Sequence, residues 1–334
     1  MLHNKSLKKC MNKILKKGAF IIKSIFELLY SFVVYNYYCN KYKDVDYFDY
    51  KKLINPKFIT PRGFNAVCLY GGYKAIVKLT GKRFNFITDY IEHGTIFSTE
   101  PEIIKGLGYY DRRTIRRIYA MSDFNVSVYK ELIKNEKLKS QAFAVGPYIQ
   151  GVDFFYSKSQ LIEIKKKYGR ILLVFPQHST EVMQAEYHMD DFIDAIKHTK
   201  ERYSFNTVFV CLYWADILRG HDDSYLRNDF VVVTAGHRSD PRFLSRQKDL
   251  FYLSDHTMSN YLGGYVGYSI CMGKPHFLYK QSTKFFFNAK EMIESPSWME
   301  AILKYQELFG DFKNQISSEQ YAFIEKYWGK WKND

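Results

Sequence analysis

A chain of 334 residues with 46% hydrophobic and 25% charged residues has room for two domains with buried cores, and is too apolar to be largely disordered. Its net charge of +14 suits an anionic partner, and the lack of a recognisable nucleic-acid motif beside the basic clusters favours a membrane surface or a phosphorylated ligand over nucleic acid. Five cysteines (Cys10, Cys39, Cys68, Cys211 and Cys271), an odd number with no CxxC pair, exclude a disulfide framework and read as reduced thiols of the cytoplasm.

The N-terminus is crowded with Lys5, Lys8, Lys9, Lys13, Lys16, Lys17 and Lys23, against Glu27 alone. Residues 19–35 are apolar but carry Lys23 and Glu27, so they lack the run of about 20 apolar residues that spans a bilayer. No small-residue cleavage site follows, which excludes a signal peptide. The segment 1–45 therefore reads as a basic, aromatic amphipathic helix, lying on the inner face of the cytoplasmic membrane or packed on the protein's own body.

The region 46–157 is expected to form an α/β domain. Strands are predicted over 64–70 and 84–91, the second leaving through Glu92-His93-Gly94-Thr95. A helix is predicted over 112–121, a strand near 125–128, a helix near 130–139, and an apolar Phe143-Ala144-Val145 running into the turn Gly146-Pro147. A second cationic cluster, Arg112, Arg113, Arg116 and Arg117, falls here.

The pattern sharpens over 158–285. Helices are predicted over 159–168, 190–203, 215–226, 241–253 and 264–272, and strands over 171–175, 208–212, 230–233, 257–258 and 276–279. The strands are continuous apolar runs, as burial on both faces demands, and their alternation with helices implies a parallel sheet covered on both sides. Residues 286–334 form a helical tail with three of the four tryptophans.

In sheets of this kind ligands bind beyond the carboxyl ends of the strands. Polar or titratable residues recur there: Glu92 and His93, His178 and Ser179, Tyr213-Trp214, His237 and Arg238, Ser259 and Asn260, Lys280-Gln281. Ser259-Asn260-Tyr261-Leu262-Gly263-Gly264 leads into a helix, where free amides and small residues suit a phosphate; the plain alternative is a tight turn and an N-cap. His178 is placed to bond a phosphate, while Ser179 could equally cap a helix. Arg238 beside His237 offers a fork for phosphate or a solvated cation. Glu92 or His93 could take a proton from an acceptor hydroxyl. Asp44-Val45-Asp46 precedes the sheet and reads as a solvated linker. With no GxxxxGK[ST] loop, no zinc spacing and no GxSxG elbow, no cofactor or metal is expected.

Taken together, the stretch Ser254-Asp255, Ser259-Asn260, Gly264 and Gly273-Lys274-Pro275 resembles the donor-phosphate segment of bacterial surface-polysaccharide glycosyltransferases of the GT-B architecture. His93-Gly94-Thr95 resembles the His-Gly-Thr loop of teichoic-acid glycerophosphotransferases, and Glu92-His93-Gly94 the acidic-acidic-Gly motif of bacterial sialyltransferases and polysialyltransferases, with His93 in place of the second acid. Val145-Gly146-Pro147-Tyr148, Phe175-Pro176-Gln177-His178-Ser179, Thr234-Ala235-Gly236-His237 and Met258-Ser259-Asn260 are similar to proteins of capsule and O-antigen clusters. The resemblance spans roughly residues 65–280 and implies two Rossmann-like α/β domains facing a cleft, preceded by the amphipathic helix.

It implies a peripheral membrane glycosyltransferase of polysaccharide biosynthesis, using a nucleotide-sugar and a saccharide or lipid-linked acceptor, inverting and metal-independent. The base falls on His93 or Glu92. The donor falls on His178, Ser179, His237, Arg238, Ser259, Asn260, Gly263 and Gly264. The alternatives are transfer of a phospho-polyol from a CDP-linked donor, a non-catalytic nucleotide-sugar-binding partner, and a sugar epimerase of the same architecture.

Overall fold

The computed structural model describes residues 40–54, 69–85, 88–92, 115–133, 141–180, 182–292 and 295–331, with single positions between 18 and 37 and at 94, 96 and 97. In the first half, α1 (Tyr50–Leu53) and α2 (Gly72–Thr80) precede β1 (Asp89–Ile91), β2 (Arg117–Ala120), α3 (Asp123–Leu132) and β3 (Ala142–Ala144). In the second half, α4 (Lys158–Tyr168), β4 (Ile171–Phe175), β5 (Met183–Glu186), α5 (Met189–Arg202) and β6 (Thr207–Cys211) come first. Then follow α6 (Trp214–Leu218), α7 (Asp222–Leu226), β7 (Val231–Val233), α8 (Phe243–Leu253), β8 (His256–Ser259), α9 (Gly264–Cys271) and β9 (His276–Leu278). The chain ends on β10 (Lys284–Phe287), β11 (Lys290–Glu291), α10 (Pro296–Phe309) and α11 (Ser318–Trp328).

The main sheet has five parallel strands in the order β7-β6-β4-β8-β9. All five residues of β4 are buried. Because strand side chains alternate, Leu172 and Val174 enter one core with Phe192, Ile193 and Ile196 of α5, while Leu173 and Phe175 enter the other with Leu250, Phe251 and Val266 of α8 and α9. Each such aliphatic or aromatic side chain contributes about 1.5–3 kcal/mol by leaving water. The chain runs β4, β6, β7 to one side and returns through β8 and β9 on the other, so the order reverses between β4 and β8. That switch point leaves a crevice at the strand ends.

The first half holds a three-stranded parallel sheet, β1-β2-β3. Here the structure corrects several expectations. The helix expected over 112–121 is strand β2 where it is described. Arg117 sits opposite Asp89 in the register, and its guanidinium grips that carboxylate with Nε–Oδ1 at 2.8 Å and Nη2–Oδ2 at 2.6 Å. The strand expected at 125–128 lies in helix α3, because the Ser122 hydroxyl caps it by accepting from Asn125 N. Residues 69–80, expected to begin at the end of a strand, form a 3-10 turn and then α2. The expected strand 84–91 shortens to β1, and residues 64–68 lie outside the described residues. A small antiparallel sheet, β11-β10-β5, was not anticipated, and its strand β11 opens a tail that was expected to be wholly helical.

Two segments run across the sheets. Tyr47 is fully buried in the larger core and its carbonyl accepts from Thr234 N, while the Arg246 guanidinium binds the carbonyls of Tyr42, Val45 and Ala235 and the carboxylate of Asp240. At the other end, α11 packs on both α3 and α9. Trp328 lies flat on Gly267: a Cβ there would fall 2.2 Å from the indole. Only glycine lets that ring reach α9.

Candidate functional site

A cleft of about 860 Å³, including its open mouth, lies at the carboxyl ends of the main strands. Its second-half wall carries Phe175, Pro176 and His178 after β4, Cys211 to Tyr213 after β6, and the first turns of α8 and α9, with Phe243, Gln247, Gly264, Tyr265 and Tyr268. Its first-half wall carries Tyr70, Gly94, Met121 and Tyr148. Among the described residues that line it there is no Asp, Glu, Lys or Arg.

The second-half wall is closely packed and hydrogen-bonded. The rings of Phe175 and Tyr265 stack 4.8 Å apart, nearly parallel. The Asn260 side chain closes the crevice at the switch point: its Oδ1 accepts from Gln177 N at 2.7 Å, and its buried Nδ2 has no partner. Ser259 is held behind the wall. Its hydroxyl donates to Tyr261 O and meets His276 Nε2 at 3.0 Å and Tyr305 OH at 3.0 Å. Burial keeps His276 neutral, and its Nδ1 meets Thr257 Oγ1 at 2.7 Å. Gly263 is extended, and a Cβ on it would strike the Tyr265 ring at 2.5 Å. No side chain caps α9; Val266 N donates to Gly263 O at 3.1 Å, and Gly264 lines the cleft with open space where a Cβ would stand. Burial also raises the Cys211 thiol to about 12, which keeps it protonated and unreactive.

The expected donor residues divide by position. Gly264 and His178 line the cleft, the His178 ring lying 5.0 Å from that of Tyr213. Gly263, Ser259 and Asn260 form the turn behind it. Ser179 faces away: its N–H donates to Asp216 Oδ1 at 3.1 Å, and its hydroxyl accepts from Ala185 N at 3.2 Å. Burial lifts Asp216 to about 6 in spite of those bonds. His237 is buried, its Nδ1 accepting from Ser239 N and its ring 4.9 Å from Trp214. Arg238 touches the first half through its carbonyl, which accepts from Tyr70 N at 2.6 Å. Neither His237 nor Arg238 lines the cleft.

On the first-half wall, Gly94 adopts φ +71°, a left-handed turn that favours glycine. His93 and Thr95 lie outside the described residues. Glu92 is 2% exposed and does not line the cleft. Its Oε2 accepts from Met121 N at 2.8 Å and from Asn125 Nδ2 at 3.0 Å. Burial raises the Glu92 carboxyl to about 8, against the pull of those two donors.

The sequence reading stopped at the loops and so, beyond Tyr213, missed the aromatic lining. Tyr265 and Tyr268, and Phe243 and Gln247, lie inside the first two turns of helices whose starts it had placed. The signal was available: residues one turn into a helix that follows a strand share the face of its N-terminus.

No protein-family model matches the chain, and no curated protein matches it. Among solved structures it is similar to the wall teichoic acid polymerase TagF, at 10% identity over 50% of this chain, with a TM-score of 0.31. The chain spans 39% of that polymerase's length. It is also similar to Anabaena Alr3699/HepE in complex with UDP, at 13% identity over 80% of this chain and 73% of that one, with a TM-score of 0.35. The same Anabaena protein in complex with UDP-glucose gives 12% identity over 80% and 66%, with a TM-score of 0.34.

Proposed function

We propose that the protein is a glycosyltransferase that moves a sugar from a nucleotide-linked donor to a saccharide or lipid-linked acceptor in surface-polysaccharide assembly. One observation carries the reading: a single cleft joins the uncapped first turn of α9 and His178 on one wall to the Gly94 loop on the other. Helix amides neutralise a donor diphosphate without a cationic side chain, and an apolar, aromatic surround strengthens that interaction. The aromatic walls suit a nucleoside and a sugar ring. His93, beside Gly94, is the base. As the acceptor oxygen bonds to the anomeric carbon and the bond to the donor phosphate breaks, His93 takes the acceptor's proton and the nucleotide leaves with the bonding pair. The displacement inverts the anomeric carbon. Among the described residues no carboxylate lines the cleft to bridge a cation, so turnover should persist in EDTA. A panel of CMP-, CDP-, UDP- and GDP-linked sugars and polyols tests the reading by thermal shift and then by turnover. The expected result is one nucleotide class that stabilises the protein and donates a sugar. Transfer of a phospho-polyol from a CDP compound, binding without turnover, or no binding at all would each overturn it.

The protein is further proposed to work on an anionic membrane. Ile22, Phe26, Leu29, Val33 and Tyr37 are helical and each more than half exposed. Spaced by four, three, four and four residues, they form one apolar stripe. Seven lysines between positions 5 and 23 supply the complementary charge. No helix among the described residues is long and apolar enough to cross a membrane. The full chain should float with anionic vesicles at low salt, detach as salt rises, and lose binding when residues 1–38 are deleted. Equal binding to neutral vesicles, or none to anionic ones, would reject this placement.

A further inference from the structure

The transfer chemistry leaves one buried acid unused. Glu92 Oε2 is occupied inside the first-half wall, while Glu92 Oε1 and Asn125 Oδ1 are both buried and without a hydrogen-bond partner. These two orphaned oxygens belong to planar groups already joined by the bond from Asn125 Nδ2 to Glu92 Oε2. A carboxylic acid and a primary amide present matching forks, each with one donor and one acceptor. If Glu92 is ionised, both orphans are acceptors and neither is satisfied. One proton on Oε1 allows a second bond, Oε1–H to Oδ1, and leaves no buried acceptor stranded.

We propose that Glu92 is a positioning residue that works as a neutral acid, pinning the loop that carries Gly94 to the start of α3 and, through Asn125, to the C-terminal helix. The connections continue on both sides. The backbone N–H of Glu92 donates to Tyr119 O at 2.9 Å, and its carbonyl accepts from Tyr148 OH at 3.3 Å. Asn125 Nδ2 also reaches Tyr327 O at 3.3 Å, and the next residue, Trp328, donates from its indole to Gly264 O at 3.2 Å. The pin on one wall and the first residue of α9 on the other thus meet on two consecutive residues of α11.

The groups that face Glu92 do not compete for this role. Tyr129 of α3, Tyr148 of a second 3-10 turn (Tyr148–Gly151) and Tyr268 of α9 are titratable side chains that feel its charge, and burial raises all three above the usual tyrosine range. No Lys or Arg among the described residues enters its field. The carboxyl itself, lifted to about 8 by burial, keeps its proton at neutral pH. An unfolded glutamate releases its proton near pH 4.5. Between about 4.5 and 8 the folded protein therefore holds a proton that the unfolded chain lacks, and the stability this acid contributes declines as pH rises through that window.

Glu92→Gln keeps the shape and has no proton to lose. Melting temperatures of wild type and E92Q, measured from pH 5 to 9, decide the matter without any assay of activity. The difference should move in favour of E92Q as pH rises to about 8 and then level off. A constant difference, or one that moves against E92Q as pH rises, would overturn the proposal. Should E92Q fail to fold, Asn125→Asp replaces the amide with a second acid sharing one proton, so N125D should lose stability steeply above about pH 6 and little at pH 5. A pH-independent loss in N125D would count against the idea. The kinetic arm rests on the transferase reading above. There, E92Q should keep turnover within about tenfold of wild type, less than a lost general base costs, while Glu92→Ala falls further. Abolished turnover in folded E92Q would make Glu92 the base. If wild type turns over no donor at all, the transferase reading fails and the melting curves still stand.

Discussion

The two walls of the cleft are built by different means. The second-half wall rests on five buried parallel strands, and its turn at Ser259-Asn260 is locked by Gln177, His276 and Tyr305. The first-half wall rests on three short strands, one Arg117–Asp89 fork and one buried acid. Bulk burial holds the former in place before any ligand arrives. A smaller core around Tyr90, Ile118, Ala120, Val126 and Tyr129, a few polar contacts and the strap of α11 hold the latter. A wall on a large core is suited to bind, and a wall on a smaller core tied by a few polar contacts is suited to present a reacting group. Changes in the second-half wall should therefore act on donor affinity, and changes in the first-half wall on turnover.

The largest expected effect breaks the first-half wall's role. His93→Ala should lower turnover by about 10²-fold or more, the usual worth of a general base, with donor affinity measured by calorimetry nearly kept. A matching loss of donor affinity would erase the distinction between the walls. Near-normal turnover would remove this loop from the chemistry.

That same contrast explains what was legible in the sequence. Residues 171–175 were readable as a strand because both faces are buried and every side chain had to be apolar; β6 followed within a residue for the same reason, and α8 and α9 within two residues from the proline and glycine signals at Pro241, Gly273 and Pro275. In the first half the deciding interactions are not local. Arg117 looks like part of a cationic helix until Asp89, 28 residues away, is placed beside it. Val126 and Val128 suggest a strand until the Ser122 cap is seen. The β5-β10 ribbon leaves little pattern, since only Ala185 and Phe285 are buried across it. Of the candidate site, the strand-end loops were readable by position, but which way each side chain turns was not. Ser179 and His178 are neighbours with the same local signal, and only the packing of Asp216 and β5 tells them apart.

A smaller effect tests the second-half wall. Gly264→Val adds side-chain atoms where the structure has open space, so the fold should tolerate it while the cleft narrows at the uncapped amides. Donor affinity should fall about tenfold, close to 1.4 kcal/mol, with turnover at saturating donor less affected. Equal affinity in the folded variant would mean that these amides hold no phosphate.

The smallest effect sharpens the boundary of that wall. Ser179 stands one residue from His178, yet it is 1% exposed and its hydroxyl is occupied away from the cleft, accepting from Ala185 N and bonding the Asp216 carboxylate. Replacing it with alanine leaves a buried N–H without its partner and takes one donor from Asp216, at a cost of about 1–3 kcal/mol in stability. The bond from its own N–H to Asp216 is a backbone contact and should survive, so the path of the loop beside His178 should not change. Donor affinity in Ser179→Ala should therefore match wild type, while His178→Ala lowers it. The comparison needs calorimetry on both variants at one pH above 7, where Asp216, lifted to about 6, is ionised in each. If Ser179→Ala weakens the donor as much as His178→Ala does, the hydroxyl turns into the cleft when the donor binds, and the second-half wall is not fixed in advance.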